Sequence, residues 1–526
     1  MNNKHSKFAI FLPIIIALSI IVGILISQVL NIGGSKYEAA QNSGNKIQDV
    51  LNLIDTYYVD SLKTDSIEDI MIADFLHNLD PHSSYMTAKE TAQTETELTG
   101  NFVGIGIRFY ILHDTVMVTN IIPGGASEKV GLMAGDRIVE VDGKQMAGIG
   151  ISNDSVRGRI LGENGKKVKI KILRDGKPID FTIKRAPVEV ESVYYSKIGD
   201  IGYIKVTSFS ENTAFQFEDA ALMLKKEGIK SMVIDLRDNT GGFMHVAKSI
   251  LDNFFNEKKL LVYTQGVNTA REEVYSTGRN GMCSKYPLAI LVNENSASAS
   301  EITAGVIQDY DLGTVIGNVT FGKGLVQRMF NLSDGSSVRL TISRYYLPSG
   351  RCIQRSYADG YISYLENFYM NYGKNKQTVD SSKVFYTLKE HRKMYEGDGI
   401  MPDITIEHDT SFYTSLIGKV SEANIISTFC VEYYDNNRKK LSAMNVNTAS
   451  KLNNYIENDK MFDKFMKAVK DKGIEYSQED LKKSEKYLKK ILKYQIASYC
   501  LDMNTACAIL LEDDNYWEAA KKVLDR

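Results

Sequence analysis

The chain has 526 residues, of which 43% are hydrophobic and 24% are charged. That length is more than a single hydrophobic core usually supports, so we expect roughly three or four globular units of ~150 residues each. The 63 lysine and arginine residues nearly balance the 65 aspartate and glutamate residues, giving a net charge of −2. This balance argues against a concentrated basic face, and therefore against nucleic acid as a partner.

The N-terminal segment has the composition of a membrane span. Residues 8–30 carry no charged side chain over 23 positions, enough for a helix to cross a hydrocarbon core of about 30 Å. Lys4 and Lys7 precede this segment and no small-x-small cleavage site is obvious after it, which favours an uncleaved anchor over a removed signal sequence. We expect residues 1–30 to be a cytoplasmic tip and a single-pass anchor in a bacterial-type inner membrane, with the bulk of the chain in the periplasm or another extracytoplasmic space.

Residues 31–99 are predicted to be a linker and an N-terminal helical region. The stretch 31–45 is rich in glycine, serine and asparagine, as flexible linkers are. Residues 46–98 carry helical patterns of apolar side chains.

A glycine-rich loop opens the next region, residues 100–186. Gly104, Ile105, Gly106 and Ile107 are followed by an Ala-Gly-Asp-Arg-Ile-Val-Glu-Val-Asp-Gly run. The region resembles a PDZ domain, in which such a loop presents backbone amides to the terminal carboxylate of a peptide that adds a strand to the sheet. A glycine-containing strand entry without binding function is the alternative.

The residues after 231 predict a strand, a glycine turn and a helix. The run over 231–237 predicts the strand, Gly241 and Gly242 form the turn, and a helical pattern covers 245–255. The turn lacks the Gly-x-Gly-x-x-Gly and Gly-Lys-Ser/Thr patterns of phosphate loops. We therefore expect the amide of Gly241 or Gly242 to be a donor to an oxyanion, with a purely structural tight turn as the alternative.

Ser298 is the candidate nucleophile. It lies between an apolar strand-like run over 288–292 and a helical pattern over 302–309, so it should sit at a helix N-terminus. There the free amide of Ala299 and the helix dipole could stabilise an oxyanion. However, Ser298-x-x-Glu301 also matches a capping box, which requires no chemistry.

Lys323 is the candidate base, because a serine hydroxyl is a weak nucleophile unless a neighbouring group takes its proton. It lies in a Gly-Lys-Gly turn, 25 residues after Ser298. To act at neutral pH, its pKa must fall from the usual ~10.4, which requires burial or a nearby positive charge. The following strand pattern places Leu325 and Gln327 on the face of Lys323, where Gln327 could hold the amine. The alternative is a solvated turn lysine.

Together these runs resemble the carboxy-terminal processing peptidases, a membrane-anchored serine-lysine family that includes the tail-specific proteases. The matching motifs, in family order, are Asn-Leu-Asp-Pro-His-Ser-Ser-Tyr at 78–85, Asp-Leu-Arg-Asp-Asn-Thr-Gly-Gly at 235–242, Ser-Ala-Ser-Ala-Ser-Glu at 296–301, Thr-Phe-Gly-Lys-Gly-Leu-Val-Gln at 320–327 and Gly-Ile-Met-Pro-Asp at 399–403.

The resemblance implies a serine endopeptidase with Ser298 as nucleophile, Lys323 as general base and Gln327 as the residue that orients the lysine. It also implies an oxyanion hole formed by Ala299 and one of the two turn glycines. Its partners would be protein or peptide substrates with free C-termini, selected by the PDZ domain. No metal or cofactor is implied.

Two other functions are alternatives to the peptidase. A scaffold that only binds C-termini is disfavoured because Ser298, Lys323 and Gln327 are all present. A Ser-His-Asp hydrolase would use His245 with Asp235 or Asp238, but no Gly-x-Ser-x-Gly elbow accompanies it.

Residues 409–526 are helical in pattern and carry no recognised motif. They would either mediate homo-oligomer formation or cap the core, and the sequence does not decide between these roles. The chain's five cysteines lack a Cys-x-x-Cys pair, and the seven-residue spacing of Cys500 and Cys507 predicts one shared helix face.

The overall prediction is a mixed α/β multidomain protein. Its parts are the anchor (1–30), the linker and helical region (31–99), the PDZ domain (100–186), the α/β serine-peptidase core (187–408) and the helical C-terminal region (409–526).

Overall fold

The computed structural model describes residues 46–60, 64–279, 281–371 and 383–525. The predicted anchor and linker lie outside the described residues. Within the described ranges, no helix is both long and apolar enough to cross a membrane. The chain divides into two compact units, residues 1–76 and 77–526.

The described part of the first unit consists of helices, as the sequence predicts for this stretch. Helix α1 spans Lys46–Tyr57, and helix α2 spans Thr64–His77, ending one residue beyond the unit. The second unit opens with strand β1 (Ser84–Met86) and helix α3 (Ala88–Thr99). Thr87 caps α3 in a reciprocal capping box with Glu90, which explains why the helix begins there.

The glycine-rich region folds into a small β-structure with two helices. One sheet has the strand order β3 (Ile107–Leu112), β4 (Thr115–Ile121), β5 (Arg137–Val141), β7 (Lys167–Arg174) and β8 (Lys177–Lys184), with β6 (Lys144–Gln145) paired to β5. Strand β2 (Asn101–Gly104) pairs with β9 (Ala186–Glu189), and the helices are α4 (Ala126–Val130) and α5 (Asn153–Ile160). The alternating apolar residues of β7 and the inner face of α5 form its core, which includes Val156, Val168, Ile170 and Ile172.

A mostly parallel sheet forms the centre of the second unit. Its strand order is β10 (Val193–Ile198), β11 (Ile201–Val206), β12 (Ser231–Asp235), β15 (Leu288–Val292), β16 (Thr314–Gly317) and β21 (Ile404–Thr405). Only β10 and β11 pair antiparallel. Every residue of β12 and β15 is buried, as expected for parallel strands covered on both faces.

Helices cover the two faces of this sheet. On one face lie α6 (Thr213–Lys226), α7 (Met244–Leu251) with a 3₁₀ turn at Asp252–Phe254, and α8 (Ala299–Asp309). Because strand side chains alternate, Ile290 and Val292 face these helices, whereas Ala289 and Leu291 face a second cluster around Trp517 of the last helix.

A second, antiparallel sheet carries the strand that follows Lys323. Its order is β1, β18 (Ser337–Tyr346), β13 (Leu260–Gln265) and β14 (Glu272–Tyr275), with β17 (Leu325–Asn331) paired to β18. Helix α9 (Gly360–Asn371) and a hairpin of β19 (Val384–Tyr386) and β20 (Lys393–Tyr395) complete this part.

The C-terminal region is helical, as predicted. Helices α10 to α15 form a cluster whose apolar core also includes Leu112 and Met117 of the glycine-rich domain, and their bounds are Ser415–Glu422, Ile425–Ala443, Ala449–Asn458, Met461–Asp471, Gln478–Cys500 and Met503–Leu510. The ion pair between Arg137 and Asp435, with an N···O distance of 2.6 Å, adds to this contact. Helix α16 (Asn515–Leu524) instead packs on the parallel sheet of the core through Trp517.

The predicted shared helix face of Cys500 and Cys507 is wrong. Cys500 ends α14, and Cys507 lies in α15. Leu501 adopts an extended conformation, and the Asp502 side chain accepts a hydrogen bond from the Thr505 amide, so a new helix starts between the two cysteines.

Candidate active site

Ser298 lies at the N-terminus of α8, directly after the buried strand β15 and a short loop. Its backbone has φ 57° and ψ −112°, a sparsely populated region for a residue with a side chain. Such strain costs about 1–3 kcal/mol and persists only where surrounding contacts impose it. Here the Ser298 amide donates to Glu301 Oε2 at 2.8 Å, and the Ser298 carbonyl accepts from the Tyr345 hydroxyl at 3.3 Å.

Glu301 connects the serine turn to the lysine turn. Its side chain is fully buried, and Oε2 accepts from the backbone amides of both Ser298 and Lys323, at 2.8 and 2.9 Å. Oε1 accepts from Thr320 Oγ1 at 2.5 Å and from the Gly322 amide at 2.7 Å. Glu301 therefore does bind the Ser298 amide, as the capping-box spacing predicts. The same carboxylate also fixes the main chain of Lys323 beside that of Ser298. Sequence reasoning missed this second role.

Lys323 is largely withdrawn from solvent. Burial, with the nearby charge of Arg339 adding to it, lowers the pKa of Lys323 to about 8. Its Nζ donates to Gln327 Oε1 at 2.8 Å, so the predicted pairing of these two side chains is present. Among the hydrogen bonds of the described residues, none joins Ser298 Oγ to Lys323 Nζ, and such catalytic contacts often tighten only when substrate binds.

Gln327 is held by a residue far away in the sequence. Its Nε2 donates to the backbone carbonyl of His82. A β-bulge between Val326 and Gln327 breaks the regular alternation of side chains between the two faces of β17. His82 shares a 3.0 Å hydrogen bond with the Tyr364 hydroxyl. Burial, followed by the charge of Lys323, lowers the pKa of His82 to about 3, so its ring is neutral.

The run at 78–85 thus has a structural role that its sequence does not reveal. Asp80 is buried, and its Oδ1 accepts from the amides of His82 and Ser83, both at 2.8 Å. Ser83 Oγ also accepts from the Thr341 amide on β18 at 3.0 Å. These contacts hold the His82 carbonyl against Gln327.

The glycine turn after β12 packs directly on the candidate nucleophile. A Cβ added to Gly241 would lie 2.9 Å from Ser298 Cβ and 3.1 Å from the Ala299 nitrogen, so only glycine fits here. The Gly241 amide donates to Asn239 Oδ1 at 2.9 Å. The amides of Gly242 and Ala299 donate no hydrogen bond within the described residues.

His245 is not positioned to serve Ser298. Its side chain is 59% exposed and pairs with Glu211 at 3.0 Å. Asp235 is buried against Arg237, and Asp238 bonds to Asn293. The structure therefore gives no support to the alternative Ser-His-Asp arrangement.

The candidate peptide-binding loop lies between β2 and β3. The carbonyls of Ile105 and Gly106 accept from the Ser127 and Ile122 amides, at 2.9 and 3.1 Å. The amides of Ile105 and Gly106 donate no hydrogen bond within the described residues. Gly106 has φ 76°, the left-handed conformation that favours glycine. The loop thus has the backbone donors that a carboxylate requires, and Ile107 begins the adjoining strand β3.

No group of three or more histidine, cysteine, aspartate and glutamate side chains is arranged to hold a metal ion in the part of the chain that the structure describes.

Comparisons with known proteins match three stretches of the chain to protein families. Residues 200–361 match the model of peptidase family S41, residues 103–184 match that of a PDZ domain, and residues 416–502 match a family of unknown function. The chain is 24% identical to the solved photosystem II D1 C-terminal processing protease, with a TM-score of 0.35 and coverage of 70% of this chain and 87% of that one.

Two curated bacterial relatives are closer in sequence. The chain is 30% identical over 359 residues to a probable CtpA-like serine protease of Staphylococcus saprophyticus, covering 67% of this chain and 72% of the relative. It is 32% identical over 340 residues to one of Staphylococcus aureus, covering 64% and 67% respectively. The family resemblance predicted from the motifs is confirmed: the chain belongs to peptidase family S41, as a CtpA-like serine protease with a PDZ domain.

Proposed function

We propose that this protease is a serine-lysine endopeptidase that cuts extracytoplasmic proteins near their C-termini. One observation carries the proposal: Glu301 holds the backbone amides of Ser298 and Lys323 on a single carboxylate oxygen, and the lysine beside the serine is largely withdrawn from solvent, with its pKa lowered to about 8. At pH 7 about a tenth of such a lysine is neutral, against a negligible fraction of an ordinary one. A neutral lysine is what a serine nucleophile needs when no histidine accompanies it.

In the proposed mechanism, neutral Lys323 takes the proton from Ser298 Oγ as the oxygen attacks a substrate carbonyl carbon. Lys323 then gives the proton to the leaving amine as the C–N bond breaks, leaving an acyl-enzyme. Water attacks the acyl group while Lys323 accepts its proton, and Lys323 then returns that proton to Ser298 Oγ as the ester bond breaks, which releases the second product and restores the serine and the neutral lysine. Gln327 keeps the amine directed at the site through its bond to Nζ.

We assign the oxyanion hole to the amides of Ala299 and Gly242. Both lack an acceptor within the described residues, whereas the amide of Gly241 is already bonded to Asn239. Each free donor aimed at the developing oxyanion contributes about 3–4 kcal/mol to catalysis in well-formed sites. Gly241 would then act by allowing the close approach of the turn to Ser298.

We further propose that the loop Gly104–Ile107 selects substrates by their terminal carboxylates, and that residues 1–30 anchor the chain in the membrane. The unbonded amides of Ile105 and Gly106 support the first idea. The uncharged run at 8–30 supports the second and, with it, an extracytoplasmic location for the protease.

The test is cleavage of an unstructured protein with an apolar C-terminus by the full-length chain, with products identified by mass spectrometry. We expect Ser298→Ala and Lys323→Ala to abolish cleavage and Gln327→Ala to reduce it, while His245→Ala remains active. If Lys323→Ala cleaved normally, the base would be misassigned. If the wild-type chain bound the tail without cutting it, the chain would be a scaffold.

A further inference from the structure

A cavity of about 920 Å³ lies beside the turn that carries Lys323. Thr320 and Phe321, which lead into that turn, line it together with Arg355 and Gln354. Ser298 and Lys323 do not line it, so the cavity is a separate space next to the dyad. Cavities of this size enclose ligands as large as a short peptide segment.

Arg355 is the notable side chain in this cavity. Its guanidinium carbon lies 4.2 Å from the ring centre of Tyr364, 4.9 Å from that of Phe368 and 5.0 Å from that of Phe321. Its Nε and Nη2 atoms are buried and have no hydrogen-bond partner. Aromatic faces attract a cation but do not accept its in-plane N–H groups. The side chain therefore has a fixed position and unused donors.

A carboxylate is the ligand that best satisfies the unbonded donors of Arg355. The guanidinium fork presents parallel N–H donors that match the two oxygens of a carboxylate, and burial strengthens this charged hydrogen bond. The alternative, a buried charged donor left without an acceptor, is costly and is normally avoided.

The position of Arg355 is tied to the catalytic turn by two contacts. Its backbone amide donates to the Gly322 carbonyl at 3.0 Å, one residue before Lys323. Tyr364, which packs on the guanidinium, is hydrogen-bonded to His82, and the His82 carbonyl accepts from Gln327. Arg355 and the lysine are thus linked by hydrogen bonds and packing on both sides of the turn.

We propose that Arg355 binds a carboxylate of the peptide substrate, in the segment that follows the scissile bond. This inference rests on the proposed function, because a lysine that returns a proton to the leaving amine must lie on the side where that segment departs. The carboxylate is either an acidic side chain or the terminal carboxylate of the substrate. The guanidinium would bind either carboxylate in the same way, and the experiment distinguishes between the two.

The experiment measures kcat/KM of the full-length chain on fluorogenic peptides amidated at the C-terminus, so that the PDZ loop has no terminal carboxylate to bind. Each peptide carries Glu or Gln at one of the positions after the scissile bond. We expect Glu to be favoured about tenfold or more at one position, the value of one charged hydrogen bond. Arg355→Gln should remove this preference, so that kcat/KM falls by a larger factor for the Glu peptides than for the Gln peptides, and Arg355→Lys should restore part of it.

Arg271→Gln is the matched control. Arg271 also packs on an aromatic ring, 3.8 Å from the centre of Tyr263, but it already has an ion pair with Glu273 and does not line the cavity. Its variant should keep the Glu preference. A second arm compares free-acid with amidated peptides that lack Glu. Loss of the free-acid advantage in Arg355→Gln identifies the terminal carboxylate as the ligand, and an unchanged advantage assigns it to the PDZ loop.

The inference is overturned if neither carboxylate is favoured through Arg355, or if Arg355→Gln slows Glu and Gln peptides by the same factor, as a purely structural role would. In that case the proposed function still stands if the wild-type chain cleaves the Gln peptides and Ser298→Ala does not. If no peptide is cut at all, fluorescence anisotropy in the Ser298→Ala background decides: equal affinities with and without Arg355→Gln also overturn the inference.

Discussion

Replacing Glu301 with glutamine tests whether one buried carboxylate sets the geometry of the proposed Ser298–Lys323 dyad. The carboxylate accepts four hydrogen bonds, two at each oxygen, whereas glutamine offers one oxygen and one NH₂ group. The NH₂ group will face Thr320 and Gly322, because the threonine hydroxyl can accept as well as donate. The Gly322 amide then faces another donor, and the bonds from Ser298 and Lys323 lose a charged acceptor.

The cost can be worked from these contacts. An unsatisfied buried amide costs about 1–3 kcal/mol. The change from a charged to a neutral acceptor costs at most about 1 kcal/mol more for each of the two bonds from Ser298 and Lys323. The middle of the resulting range is about 3 kcal/mol. That energy corresponds to a roughly 100-fold loss of the competent arrangement, and hence to a roughly 100-fold lower kcat/KM.

The assay is peptide cleavage together with the rate at which a serine-directed phosphonate labels Ser298, with Glu211→Gln as the control. Glu211 is a half-exposed carboxylate paired with His245, so its variant should be unchanged. If Glu301→Gln kept kcat/KM within about threefold of wild type, the claim that Glu301 positions both residues would be refuted.

Three other predictions concern the base, the core and the PDZ loop. The pKa of about 8 for Lys323 predicts that kcat/KM is low at acidic pH, where the lysine is protonated, and rises with a midpoint near pH 8; a profile flat from pH 6 to 9 would contradict it. Trp517→Ala should destabilise the core by about 3–5 kcal/mol, because the indole is buried against the sheet, and a melting temperature unchanged within about 2 °C would contradict this. Gly106→Val should weaken the binding of peptides with free C-termini, because a Cβ there would lie 3.3 Å from Gly125 Cα and the φ of 76° strains any side chain. Fluorescence anisotropy on the Ser298→Ala chain measures this affinity, and equal affinities would show that the loop is not the binding site.

The sequence predicted the parts of the site that local patterns encode. Continuous apolar runs are typical of parallel strands buried on both faces, and β12 and β15 match this expectation. A strand followed by a helical pattern correctly placed Ser298 at a helix N-terminus. The contact between Lys323 and Gln327 was also predicted, although it was inferred from a regular strand alternation that the bulge between Val326 and Gln327 breaks.

The contacts missed are those between distant parts of the chain. His82 and Gln327 are 245 residues apart, so no local pattern connects them. The spacing of Glu301 from Ser298 suggested a cap, but nothing local indicates its bonds to the turn more than twenty residues later. Likewise, an amphipathic pattern predicts that a helix packs on another element but does not identify that element. The packing of α16 on the core sheet was therefore not predictable.

That docking makes the end of the chain part of the peptidase core. Arg237, in the motif that leads to Gly241 and Gly242, pairs with Asp514 at 2.7 Å and lies 4.8 Å from the ring centre of Tyr516. The same arginine binds buried Asp235 at the end of β12. The turn that supplies the proposed oxyanion donor is therefore held from one side by the strand and from the other by α16. Helix α11 packs on strand β3 of the PDZ domain and α16 packs on the core sheet, so the C-terminal region contacts both the proposed tail-binding domain and the peptidase core.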